Sequence, residues 1–125
     1  MAKKPLTKEL LDKFGPGDQF QVFFPETGGR IVAEVIKIEL QPVSVSYQLT
    51  VFFKDAIEFS EAGPAPLLDM AYRGGSLLDD LFVSEEEDGY IQIPDVGAEQ
   101  VLMFMKPTHR HFAPKVAGPT PNDAG

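Results

Sequence analysis

Two adjacent phenylalanine pairs, Phe23-Phe24 and Phe52-Phe53, stand at the ends of stretches that otherwise alternate apolar and polar residues as β-strands do. Neighbouring residues on a strand point to opposite faces, so each pair puts a large ring on both sides of a sheet. A sheet with one face in water has no use for rings on that face. Either a helix of the same chain covers it or another protein subunit does, and that choice is the main thing the sequence says about function.

The strands themselves are legible. Phe20, Val22 and Phe24 point one way and Gln19 and Gln21 the other, which gives a first strand over 18–24. Pro25 and Thr27-Gly28-Gly29 turn the chain into a second strand from Arg30 to Leu40. Its inward set begins as Ile31, Ala33 and Val35 and resumes as Ile36, Ile38 and Leu40, a change of parity that predicts a β-bulge near Val35-Ile36. Val45, Tyr47, Leu49, Val51 and Phe53 then alternate with Ser44, Ser46, Gln48 and Thr50, and Phe52 breaks the polar side. Gly63, Pro64 and Pro66 predict a loop, with a single helical turn over 67–72 before Gly74-Gly75. Leu81 to Val83 and Tyr90 to Ile93 read as short strands flanking an acidic turn, Glu85-Glu86-Glu87-Asp88-Gly89. Val101 to Met105 is apolar throughout, as in a strand buried on both sides.

A short helix over 7–14 precedes the strands. Thr7 is positioned as its N-cap, Leu6 can staple onto Leu11, and Gly15-Pro16 ends it, with Gly15 in the left-handed conformation. Two turns are not stable alone, so the stripe Leu10, Leu11 and Phe14 must dock on the sheet. It is long enough to cover one phenylalanine pair. These elements predict a mainly β fold, a small antiparallel barrel or sandwich with a short N-terminal helix, as a single domain over 1–107. Residues 108–125 form an extended, proline- and glycine-rich C-terminal arm. With 125 residues and 43% hydrophobic content the chain can build one core.

Charge is distributed unevenly. In residues 1–14 four lysines against Glu9 and Asp12 leave +2, and residues 15–54 hold three bases against four acids, or −1. Residues 55–99 set twelve acids against Arg73 alone, or −11, and residues 106–125 set Lys106, Arg110 and Lys115 against Asp123, or +2, for a total of −8. Such a surface repels phosphate, so no nucleic-acid partner is expected. The two basic ends are suited to meet the acidic block of a neighbouring subunit. The start Met-Ala-Lys-Lys-Pro is followed by no apolar h-region and no span-length apolar run, so neither a secretory signal nor a membrane partner is expected.

No reaction can be assembled from these residues. There is no cysteine, which removes disulfides and thiolate chemistry together. His109 and His111 have the spacing of two ligands on one strand face but lack a third, so no metal is expected. The Glu85–Asp88 run lacks the alternating spacing of a calcium loop. Asp79-Asp80 point to opposite faces, Ser76 sits in no nucleophile elbow, and the glycine pairs precede no phosphate cradle. No catalytic, cofactor or metal residues are therefore assigned, and the chain is expected not to be an enzyme. The expected contact residues are Phe23 and Phe52 for an apolar patch, Glu85, Glu86, Glu87 and Asp88 for charge, and His109, Arg110, His111, Phe112 and Lys115 for the arm. An alternative is a small-molecule-binding barrel lined by Phe20, Tyr47, Met103 and Phe104.

The order of helix, two strands, then Tyr47-Gln48-Leu49-Thr50-Val51-Phe52 and finally Met103-Phe104-Met105-Lys106-Pro107 resembles a family of small uncharacterised bacterial β-domains associated with phage-tail-like genes. The chain departs from that pattern in the acidic stretch Glu85 to Asp88 and in the basic C-terminal segment. The resemblance implies a structural or accessory subunit of an oligomeric particle, a phage virion or a phage-tail-like assembly, acting through protein contacts in a bacterial cytoplasm or an assembled virion-like particle, and it carries no catalytic residues.

Overall fold

Alternation in the sequence becomes one curled antiparallel sheet in the computed structural model, which describes residues 4–44, 46–68, 70–77, 82–95 and 99–113. The elements in order are β1 (Lys4–Pro5), α1 (Lys8–Leu11), β2 (Gln19–Phe24), β3 (Gly29–Val43), β4 (Ser46–Ser60), β5 (Gly63–Pro66), β6 (Ala71–Leu77), β7 (Phe82–Val83), β8 (Glu85–Glu87), β9 (Tyr90–Asp95) and β10 (Gln100–Met105). The main sheet runs β5-β4-β3-β2-β10-β9-β8, with β6 on the same edge of β4 as β5, and β1 pairs separately with β7. Every pairing is antiparallel. Among the described residues no backbone ladder joins the two ends of the sheet into a closed barrel.

The core lies on the inner face. Phe20, Val22, Ala33, Val35, Leu49, Val51, Phe53, Ile91, Ile93, Leu102 and Phe104 fill it, and Leu6, Leu10, Leu11 and Phe14 close it from the helix side. Phe20 stacks on Phe104 with ring centroids 5.0 Å apart, and Phe14 meets Phe104 at 5.9 Å. The N-cap is as expected: Thr7 Oγ1 accepts from the Leu10 N–H at 3.3 Å, and Leu6 and Leu11 are both buried. The helix ends at Leu11, a turn earlier than expected. The left-handed residue is Gly17 (φ 95°) and not Gly15, because Asp18 Oδ2 accepts the Gly15 N–H and holds the chain in a turn there.

The long hairpin β3–β4 departs from regular pairing twice. Between Val35↔Phe53 and Lys37↔Phe52 one extra residue enters β3, which is the bulge expected from parity. Ile36, expected inward, is the inserted residue and is exposed, and the core set resumes at Ile38 and Leu40. Between Val32↔Ile57 and Glu34↔Lys54 the extra residue is on β4, at Asp55-Ala56, with Asp55 at φ 55°. Aspartate tolerates this left-handed conformation better than most residues. The segment expected as a loop and a helical turn over 63–77 forms β5 and β6, both paired to β4. Gly74-Gly75 lies inside β6, and Glu85–Glu87 pairs with β9, so only Asp88-Gly89 (Gly89 φ 78°) makes the acidic turn. Asp79-Asp80 lies outside the described residues.

Candidate functional site

Of the expected contact residues on strands of the main sheet, Phe23, Phe52, Glu85 and Glu87 lie on the outer face and Glu86, opposite the core residue Ile91, lies on the other; the outer face divides into a covered part and an open part. Over β9, β10 and β2 it presents Tyr90, Met103, Met105, Gln19, Gln21 and Phe23. Residues 106–113 fold back across them as a strap. The Lys106 N–H donates to Gly89 O at 2.8 Å, Lys106 Nζ pairs with buried Asp18 at 2.9 Å, and two tight turns follow, His109 N–H to Lys106 O and Phe112 N–H to His109 O, both at 3.0 Å.

Polar side chains of β2 hold this strap. The Gln19 side chain accepts the Ala113 N–H at 2.8 Å and donates to Ala113 O at 2.9 Å, the pair of bonds a neighbouring strand would make. Gln21, 1% exposed, donates to His111 O at 3.2 Å and to Gln19 Oε1 at 2.6 Å, and its own oxygen accepts from Arg30. Two buried amides thus replace water with main-chain partners, which is the condition for burying them. Phe112 and Phe23 pack with Tyr90, Met103 and Met105 into a second apolar cluster. Arg30 lies over the Phe23 ring, 5.3 Å from its centroid. The first residues of the expected arm, 108–113, therefore lie against the outer face of the sheet.

His109 is the centre of the strap. Its ring stacks on Tyr90 at 4.6 Å and 9°, and the His111 ring tilts against both at 5.2 and 5.3 Å. Nδ1 of His109 accepts the His111 N–H at 3.2 Å, so the ring proton sits on Nε2, which donates to Glu87 at 2.9 Å. Both nitrogens are thereby occupied. Among the described residues no group of three or more histidine, aspartate or glutamate side chains is arranged to hold a metal ion.

The charged ends meet the acidic block within one molecule. Arg110 grips Glu87 with two parallel bonds of 2.7 and 2.8 Å, and these, with the His109 bond, hold the Glu87 carboxyl down at about 2. Lys4 bonds Glu86, with Lys13 at 3.9 Å, and the Lys4 bond lowers the Glu86 carboxyl from its ordinary value. Burial pushes the Tyr90 phenol up to about 12, helped by the charges of Glu85 and Glu87. The expected meeting of basic ends and acidic block across a subunit boundary is thus satisfied intramolecularly for Lys4, Lys13 and Arg110. Glu85 and Asp88 are exposed, and Lys115 lies outside the described residues.

A second polar pair ties the ends of the curled sheet. Tyr72 on β6 donates to buried Asp95 on β9 and lies 3.3 Å from the Gln100 side chain, while its ring packs on Phe20 at 5.8 Å. Burial first, then the Asp95 hydrogen bond and charge, raise the Tyr72 phenol far above its ordinary value. The phenol therefore serves as a fixed donor to a buried carboxylate. Gly74 makes room for this clasp: a Cβ there would lie 3.0 Å from the Tyr72 ring and 3.1 Å from Asp95 Oδ2.

The open part lies over β3, β4 and β6. Val51 and Phe53 are buried in the core, so Phe52 points outward, and its Cα partners are Lys37 on β3 and Ala71 on β6. Ile36 is next to Lys37, and Met70 is next to Ala71 with its carbonyl accepting the Phe53 N–H at 3.0 Å. Phe52 is half-buried, whereas Ile36 is 43%, Met70 72% and Leu68 91% exposed. The sequence points to Phe52 but not to Leu68 and Met70 as contact residues, since both fall in the stretch expected as a helical turn. Of the residues named for a barrel ligand, Phe20 and Phe104 stack within the core and Met103 is on the opposite, outer face, while Tyr47 is a residue of β4.

No family model, curated protein or solved structure matches the chain. No helix among the described residues is long and apolar enough to cross a membrane.

Proposed function

We propose that the chain is a non-enzymatic structural or accessory subunit that acts through protein contacts in an oligomeric particle, of the phage-virion or phage-tail-like kind implied by the strand resemblance. The observation that supports this reading is the set of exposed apolar side chains Ile36 on β3 and Leu68 and Met70 in the segment leading into β6, near the half-buried Phe52 on β4. Exposed apolar side chains of this size favour contact with a partner, since their burial recovers ~25 cal/mol per Å² that folding alone does not. The basic groups Lys4, Lys13 and Arg110 have partners on their own chain, which puts the weight of recognition on these apolar side chains.

Size-exclusion chromatography with light scattering over a rising concentration series tests the reading. The native chain is expected to assemble, and the double variant Leu68→Asp with Met70→Asp to remain monomeric with an unchanged circular dichroism spectrum. A native chain that stays monomeric throughout the series sinks the proposal.

A further inference from the structure

Between the strap and the surface around Phe52 the outer face is hollow. Val32 on β3 and Ile57 and Phe59 on β4 floor a groove of about 510 Å³, walled on the β2 side by Gln19, Phe112 and Ala113. That volume lies within the ~300–1,000 Å³ of ordinary ligand sites. The hollow follows from the second irregularity of the hairpin, where Asp55-Ala56 puts an extra residue into β4 and breaks its register with β3. Asp18, already paired with Lys106, Glu34 and Asp55 stand in the lining, and among the described residues the lining contains no lysine or arginine. The Glu34 carboxylate meets Lys54 only at 3.8 Å, with both groups reached by solvent, so that pair is weak and replaceable.

We propose that this groove binds an extended peptide segment of a partner protein in which a lysine or arginine stands beside aliphatic residues. The apolar floor takes the aliphatic side chains, and the Glu34 carboxylate, released from its weak pair with Lys54, answers the cation; an acidic segment meets the same charge as repulsion. The way β2 holds the strap shows how main chain is received on this face, with the Gln19 amide pairing both polar groups of Ala113. The groove shares no lining residue with the surface around Phe52, so it is separate from the assembly surface.

The chain's own sequence offers a probe of the right chemistry at 113–118, Ala-Pro-Lys-Val-Ala-Gly. Fluorescein-labelled peptide of that sequence, and a counterpart with glutamate in place of lysine, would be titrated into the full chain and followed by anisotropy. The lysine peptide is expected to saturate the protein and the glutamate peptide to bind at least about tenfold more weakly, with Glu34→Lys reversing that preference. Should Glu34→Lys lose its folded dichroism, the shape-preserving Glu34→Gln is read instead and is expected to weaken the lysine peptide alone. Absence of saturable binding, or equal binding of the two peptides, overturns the proposal. Binding retained in the Leu68→Asp, Met70→Asp variant separates this site from the assembly surface.

Discussion

Phe23 and Phe52 look alike in the sequence: each is the second-face ring of a phenylalanine pair near the end of an alternating stretch. The molecule treats them differently. Phe23 lies beside Tyr90, Met103 and Met105 under a strap supplied by the same chain, with Arg30 across its ring. Phe52 is half-buried between Lys37 and Ala71 outside either apolar cluster, and its neighbours Ile36 and Met70 are exposed. An aromatic on the second face of a sheet therefore does not by itself indicate a partner; what decides is whether its own strand or a neighbouring one also carries groups that can hold a cover in place. Gln19 and Gln21 supply those groups beside Phe23, and the strand positions beside Phe52 carry Lys37 and Ala71, which do not.

The largest contrast should come from stability. Tyr90, 2% exposed and stacked under His109, is the anchor of the covered region. Tyr90→Ala is expected to destabilise the fold by ~3–5 kcal/mol, as for other large-to-small changes of buried aromatics. Leu68→Ser in the open region should stay within ~0.5 kcal/mol, the usual range for an exposed position. Urea titrations of both variants measure this. Comparable losses from the two would mean that the open region is packed in solution and would erase the distinction between the regions.

Much of this was readable from residue order because the governing interactions are local. Thr7 announces its cap, the parity change at Val35-Ile36 announces its bulge, and the unbroken apolar run Val101–Met105 announces a strand with a core on one face and a second cluster on the other. The strap was not readable. Gln19 and Gln21 sit at polar positions of an alternating strand, and only contacts made some 90 residues away convert them from solvent-facing groups into buried ones. The bulge at Asp55 and the strands β5 and β6 were hidden for a different reason. Their glycines and prolines are turn-formers by local preference, but pairing with the long strand β4 overrides that preference.

A smaller effect tests the clasp that shapes the open region. Gly74→Ala places a methyl group 3.0 Å from the Tyr72 ring and 3.1 Å from the Asp95 carboxylate, so one of them must move. Overpacking of this kind is expected to destabilise by ~1–3 kcal/mol. Because β6 pairs with β4 beside Phe52, displacement of Tyr72 should disturb the open region and leave the strap intact. Amide exchange would show faster exchange in 71–74 and unchanged exchange in 106–113; the reverse pattern would break the proposed independence of the two regions.

The smallest effect is electrostatic and confined to the strap. The Glu87 carboxyl titrates near 2 when folded and near 4.5 when free, chiefly because Arg110 holds it, so its contribution is complete above about 4.5 and disappears as pH falls through about 2. Tyr90 titrates near 12 when folded and 10.0 when free, chiefly through burial, so its contribution is complete below about 10 and is lost as pH rises toward 12. The strap should accordingly be held most firmly between these limits and loosen on either side for different reasons. The Phe112 amide, bonded to His109 O in the second turn, reports this by nuclear magnetic resonance. Glu87→Gln is expected to flatten the acid limb while leaving the alkaline limb, since Gln cannot ionise but Tyr90 remains buried. If the acid limb survives the substitution unchanged, Glu87 is not the group that fastens the cover, and the difference between the two phenylalanines must rest on the glutamines and apolar contacts alone.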